Sequence, residues 1–259
     1  MNHLDEKYFA DFKYIAKNRL DNGGMYVFNI GTLIYSVIMI GIPYLVMKTW
    51  GTVGWEQLTP FLQNVFKMEG ILITLQFFIL LFCFKVNNVN QRILSISSVV
   101  YAYKMTIDPF VALAYNTMYS GVYDIVKYYL AAILILGLLI HFVFLYHWIR
   151  KIKKGEYSTS IRIESQTKRK KNFLLFFAIF NLVVFSFLLM RSFNNYNDII
   201  LLLVALVILI SIAYAICEFI IVAYCVFRFP SFAVNPPPQK KSQYVNPKNR
   251  RKKKKRKKQ

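Results

Sequence analysis

The apolar residues of this 259-residue chain are gathered into runs long enough to cross a bilayer, and that grouping constrains its fold more than any motif does. A helix crossing the hydrocarbon core needs about 20 residues at about 1.5 Å rise each. Four stretches meet the requirement: Met25–Met47, Gly70–Val86 extended backwards towards Thr59 and Pro60, Tyr128–Ile149, and Ile199–Phe227. In a fifth, Asn172–Met190, only Asn181 and Ser186 are polar after the first residue. The composition agrees: 56% of residues are hydrophobic and 17% charged, against roughly 45–50% and roughly 25% in soluble domains. A water-facing globule is excluded. The first run starts at Met25, behind a charged segment and with no small-residue cleavage site after it, so it reads as a span and not as a cleaved signal peptide.

The segment Ile93–Tyr115 is interrupted by Lys104, Asp108 and Pro109, and its status follows from charge. Lys and Arg collect on the cytoplasmic side of a membrane. If the segment crosses, 28 of the 33 basic residues share the side of both termini and 4 lie opposite, with Lys104 inside the span. If it does not cross, the nine basic residues of Arg150–Lys171 move to the side opposite the N-terminus. The expected fold is an all-α integral membrane protein of six helices (about 25–47, 62–86, 91–113, 128–149, 172–190 and 199–227) with both termini cytoplasmic. Asp108-Pro109 also reads as a helix restart, because Asp is a favoured cap and Pro is tolerated at the first helical position. On that alternative the span ends near Ile107, an outer-surface segment follows, and Lys104 snorkels to the interface.

Residues 1–24 form an amphipathic segment. Leu4, Tyr8, Phe12 and Ile15, with Phe9 and Ala16 nearby, recur at three- and four-residue spacing. This predicts an interfacial cytoplasmic helix with its apolar face among acyl chains, or docked on a partner helix. Trp50 and Trp55, and the tyrosines from Tyr115 to Tyr129, suit an aromatic belt on the outer side. Residues 228–259 read as a disordered tail that begins with Pro230 and Pro236–Pro238. The tail ends in nine successive basic residues: Arg250, Arg251, Lys252, Lys253, Lys254, Lys255, Arg256, Lys257 and Lys258. These suit anionic head groups, or another polyanion such as ribosomal RNA, without sequence specificity.

Signatures of chemistry are few. No phosphate-cradling glycine motif, H-E-x-x-H or G-x-S-x-G occurs. Cys83, Cys217 and Cys225 lie inside apolar runs without ligand spacing, so neither metal nor disulfide is implied. No cofactor or enzymatic activity is expected. Ionisable residues inside spans are the default functional candidates, because placing them there costs several kcal/mol unless they are paired or hydrated. They are Lys104, Asp108, His141 and Glu218, while His147 reads as interfacial. Measured from Arg92, Arg150 and Arg228, Lys104, His141 and Glu218 lie about 18, 14 and 15 Å deep at about 1.5 Å per residue. These depths allow one shared cluster, or separate interhelical contacts that fix the fold.

Three functions follow as expectations. The first is a non-enzymatic accessory, assembly or immunity-like subunit of a bacterial cytoplasmic membrane, working through a membrane or secreted protein partner or as a homo-oligomer. The second is a small-solute or proton-coupled transporter or channel subunit that uses the four intramembrane residues. The third is a ribosome contact made by the tail.

Overall fold

The computed structural model describes residues 4–49, 54–119, 121–158 and 196–236. The span expected at 172–190, most of the loop 150–171, Trp50 and the nine-residue basic run lie outside the described residues.

All regular structure among the described residues is helical. A 3-10 turn, Glu6–Phe9, leads into α1 (Ala10–Asn18), followed by α2 (Asn22–Ser36), a π turn (Val37–Gly41) and α3 (Ile42–Thr49). Then come α4 (Pro60–Phe82), α5 (Asn88–Tyr119), α6 (Tyr123–Lys153), α7 (Tyr196–Arg228) and a 3-10 turn, Pro230–Phe232. Four helical stretches are long and apolar enough to cross a membrane: Asn22–Lys48, Pro60–Phe82, Tyr123–Lys153 and Ile199–Arg228. The first is a single rod made of α2, the π turn and α3. The turn has a local cause in Pro43, whose ring clashes with the carbonyl four residues back and whose nitrogen cannot donate.

The polarity of these helices is inverted relative to a soluble bundle. Along α2 the buried positions are Asn22, Met25, Asn29, Thr32 and Ser36, whereas Val27, Ile30 and Ile34 are exposed. Leu75, Phe78 and Leu81 of α4, and Ile135, Leu139 and Phe142 of α6, also point outward. Apolar groups face outward at no cost only where the surroundings are themselves apolar, so this arrangement fits a multi-pass membrane protein.

The least apolar long helix is the most enclosed. α5 runs unbroken through Pro109 and packs against α2, α4, α6 and α7. Phe110 to Tyr115 are all buried, which rules out the restart at Asp108-Pro109 and the outer-surface segment after it. The helix continues because neighbouring helices enclose this turn and offset the single hydrogen bond that proline forfeits.

Two apolar clusters occupy the two ends of the bundle. One gathers Ile40, Met47, Leu62, Phe66, Val111 and Leu206. The other gathers Phe9, Phe12, Leu94, Trp148, Ile221 and Phe232. In this second cluster α1 docks on the bundle's own helix ends. Phe12 packs 5.0 Å from the Tyr157 ring and 5.7 Å from that of Trp148, and Phe9 packs 5.4 Å from Phe229. The buried face is Phe9, Phe12, Ala16 and Leu20, so the protein itself, and not acyl chains, takes up these side chains. Glu6 ties the same end together, accepting hydrogen bonds from Lys13 and Ser231. Burial opposes ionisation of Glu6, but those hydrogen bonds and the charges of Lys13 and Lys17 outweigh it and hold the carboxyl below its ordinary range. Residues 229–235 also fold back: Gln91 donates to Phe232 O (3.2 Å) and accepts from Val234 N (2.8 Å). Asn88 exchanges two bonds of 3.0 Å with the Asn235 backbone. The segment after Arg228 is therefore anchored as far as Asn235.

The turn between α1 and α2 depends on Gly24. Asp21 caps α2 by accepting from Gly24 N at 2.7 Å, and a Cβ on Gly24 would collide with the carbonyl of Arg19. Gly24→Ala is expected to cost about 1–3 kcal/mol through forced backbone movement. Gly31→Ala, where nothing lies within 4 Å, should be neutral or slightly stabilising. Thermal unfolding in detergent compares the two.

Candidate functional site

The middle of the bundle holds a charged cluster made by α2, α4 and α5. Lys104 and Asp108 share one face of α5 at four-residue spacing, the geometry in which helical side chains meet. Lys104 Nζ lies 2.8 Å from both Asp108 oxygens and 2.6 Å from Glu69 Oε2 of α4. It also donates to Ser36 Oγ at 3.0 Å, and that hydroxyl donates to Asp108 Oδ2 at 2.6 Å. Side-chain exposure is 2% for Lys104, 8% for Glu69 and 0% for Asp108. Lys104 therefore does not snorkel, because two carboxylates at its own depth neutralise it. With every group ionised, two carboxylates face one ammonium and the trio carries one negative charge. Burying such an excess costs several kcal/mol unless something compensates it.

Below the trio, on the side of the bundle that carries α1, the same three helices continue in polar contacts. Gln76 Nε2 of α4 donates to Thr32 Oγ1 (2.7 Å) and to Asn29 O (2.9 Å), both on α2. Asn29 donates to Ser98 Oγ at 2.9 Å and accepts from Ser97 Oγ at 2.6 Å, both on α5. Tyr101 OH donates to Leu72 O at 3.0 Å, joining α5 to α4 once more. Gln76 Oε1 is buried without a hydrogen-bond partner. Its amide orientation is determined by its neighbours, since Asn29 O can only accept.

The other two intramembrane candidates lie elsewhere. His141 Nε2 is 2.7 Å from Tyr103 OH, and Nδ1 is 2.8 Å from Ala213 O. Because a carbonyl only accepts, Nδ1 carries the proton and Nε2 accepts from tyrosine, so a neutral imidazole satisfies both partners and links α5, α6 and α7. Glu218 pairs with Arg19, whose side chain is 68% exposed, at the bundle end capped by α1. Lys104, His141 and Glu218 thus form three separate sites, although counting residues from Arg92, Arg150 and Arg228 gives them similar depths, because they face different neighbours. Depth along a helix axis carries no information about the azimuth of a side chain.

Glu69 and Ser36 are not among the sequence candidates, although both lie inside the expected spans 62–86 and 25–47. A signal was present for Glu69, the one acidic residue within 62–86, in a helix that starts at Pro60 behind its Thr59 cap. Among the described residues no group of three or more His, Cys, Asp or Glu could hold a metal ion. Compared with protein-family models, curated proteins and solved structures, the chain matches none.

Proposed function

We propose that this chain is a proton-coupled transport or channel subunit of six spans, with both termini in the cytoplasm of a bacterial plasma membrane, and that Glu69, Asp108 and Lys104 form its working site. The charge count of the trio carries this reading: two buried carboxylates share one ammonium, and a single proton removes the excess. Structural glue needs only a balanced pair. A proton-binding site needs one group more. The basic run Arg250 to Lys258 is assigned to anionic head groups, where each charge is worth about 1 kcal/mol near the surface.

The test is reconstitution of the full chain into liposomes under an imposed pH gradient. Proton flux should be lost in Glu69→Gln and in Asp108→Asn and retained in Glu218→Gln. Unchanged flux in the two trio variants, with lowered thermal stability in detergent, would reduce the trio to packing and sink the reading.

The second reading is the non-enzymatic accessory or immunity-like subunit acting through a membrane or secreted protein. Short connections favour it: only 83–87 separates α4 from α5, and only 120–122 separates α5 from α6. Such loops leave helix faces within the bilayer as the surface for a partner or a second copy. Co-purification of one stoichiometric protein from native membranes, together with absence of proton flux, would favour it over transport.

A further inference from the structure

The two sides of the trio differ sharply along the same three helices. Towards the α3 end, the inward residues next after Ser36, Glu69 and Asp108 are apolar, and the buried hydroxyl of Thr117, farther along α5, is held by Ala114 O at 2.9 Å. α2–α3 presents Ile40 and Met47, α4 presents Phe66 and Leu62, and α5 presents Val111 and Tyr115, with the Phe66 and Tyr115 rings edge to face at 6.3 Å. Towards the α1 end, the inward residues are Thr32 and Asn29 on α2, Gln76 on α4, and Ser98 and Ser97 on α5. Only one layer, containing Met25 and Leu94, separates them from the buried amides of Asn22 and Gln91 at the helix ends. Met25 is an unbranched side chain, the kind that most readily yields space.

From this asymmetry we infer that protons reach Glu69 and Asp108 from one face only, the face carrying α1, along a seam formed by Asn29, Thr32, Gln76, Ser97 and Ser98. The inference rests on reading the trio as a proton site. Its independent support lies in the seam and at its α1 end: Gln76 Oε1 within the seam and Asn22 Oδ1 beyond the Met25 layer are both buried without a partner, at 0% and 2% residue exposure. An orphaned acceptor in a polar seam is where a transient water gains hydrogen bonds that the protein does not supply. On the apolar side the side chains next to the trio, Ile40, Phe66 and Val111, carry no polar atom that a water could bond.

The titratable groups around the trio are few. α2 contributes Tyr35, whose hydroxyl is buried without a hydrogen-bond partner, and α4 contributes Glu69. α5 contributes Lys104 and Asp108, along with Tyr101 and Tyr103. α6 brings His141, engaged by Tyr103 and Ala213, while α7 brings Cys217 against that histidine and Glu218 against Arg19. Protonation of the trio is therefore carried by Glu69 and Asp108 in contact with Lys104.

The full-length protein in right-side-out and inverted vesicles provides the test, with a small membrane-impermeant methanethiosulfonate as the probe. Cysteines are introduced as Thr32→Cys, Ser98→Cys and Ile40→Cys, and the unmodified chain measures the background from the buried Cys83, Cys217 and Cys225. The first two should be labelled when the reagent is on the α1 face and not when it is on the other, and Ile40→Cys should be labelled from neither. Labelling of Thr32→Cys and Ser98→Cys from both faces, or from none, overturns the one-sided path. In parallel, the infrared carboxyl bands of the wild-type protein and of Glu69→Gln/Asp108→Asn are followed against pH, and the difference band isolates the trio from the other Asp and Glu side chains among the 12 of the chain. A band that does not respond refutes the proton site even if labelling is one-sided. A responsive band with two-sided or absent labelling refutes the path alone.

Discussion

Lys104→Met is expected to destabilise the full-length protein by about 3–5 kcal/mol, the range found when one partner of a buried ion pair is removed. The size follows from what is left behind. Lys104 Nζ touches Glu69, Asp108 and Ser36 within 3.0 Å, so methionine leaves two buried carboxylates facing each other with no cation between them. The triple variant Lys104→Met/Glu69→Gln/Asp108→Asn should recover most of the loss, because it removes the stranded charge along with its partner. Glu218→Gln should cost less, because the amide keeps an acceptor for Arg19, whose side chain is 68% exposed and reaches solvent while that of Glu218 is 14% exposed. Thermal unfolding in detergent measures all three. A triple variant no more stable than Lys104→Met would mean that shape, and not charge, holds α2, α4 and α5 together.

Phe12→Ala should cost about 3 kcal/mol or more, the range for emptying a packed aromatic position. Phe12 is 1% exposed and packs against both Trp148 and Tyr157, which themselves stack at 5.8 Å and 17°. Removing the ring therefore opens a gap lined by two large aromatics that cannot both move in without breaking their own contacts. Tyr14→Ala, at a position 73% exposed on the same helix, should change stability by about 0.5 kcal/mol or less. The contrast tests the docking of α1. If its apolar face lay among acyl chains, Phe12→Ala would weaken membrane partitioning of the N-terminal segment and leave the unfolding temperature of the bundle unchanged. Limited proteolysis supplies a second readout, with cleavage near Arg19 becoming faster in Phe12→Ala.

Much of the architecture is legible without coordinates because the bilayer imposes a length. Runs of about 20 apolar residues are detectable one at a time, and α4, α6 and α7 fall where the runs at 62–86, 128–149 and 199–227 indicate. Lys104 and Asp108 are legible as a pair for a similar reason, since four-residue spacing on one helix is a local property. The amphipathic face of α1 is legible from its periodicity, but the surface that covers it is not. Tyr157, Trp148, Tyr224 and Phe229 are more than a hundred residues away in the chain, and nothing local to residues 4–20 distinguishes them from lipid.

The inward polar face of α2 shows where such reading stops. Asn29, Thr32 and Ser36 look like scattered interruptions of a hydrophobic run. Their common orientation acquires meaning only when Gln76 of α4 and Ser97 and Ser98 of α5 are found opposite them.

By itself, then, the sequence determined the class of the protein, the placement of its apolar helices, and the presence of ionisable groups at a depth where each must find a partner. The choice of partners was a tertiary decision: Glu69 with Lys104, Tyr103 with His141, Arg19 with Glu218. Span length depends on one helix and the bilayer, so it is encoded locally. Partner choice depends on the rotation and register of two or three helices at once, and those are set by the packing of the whole bundle.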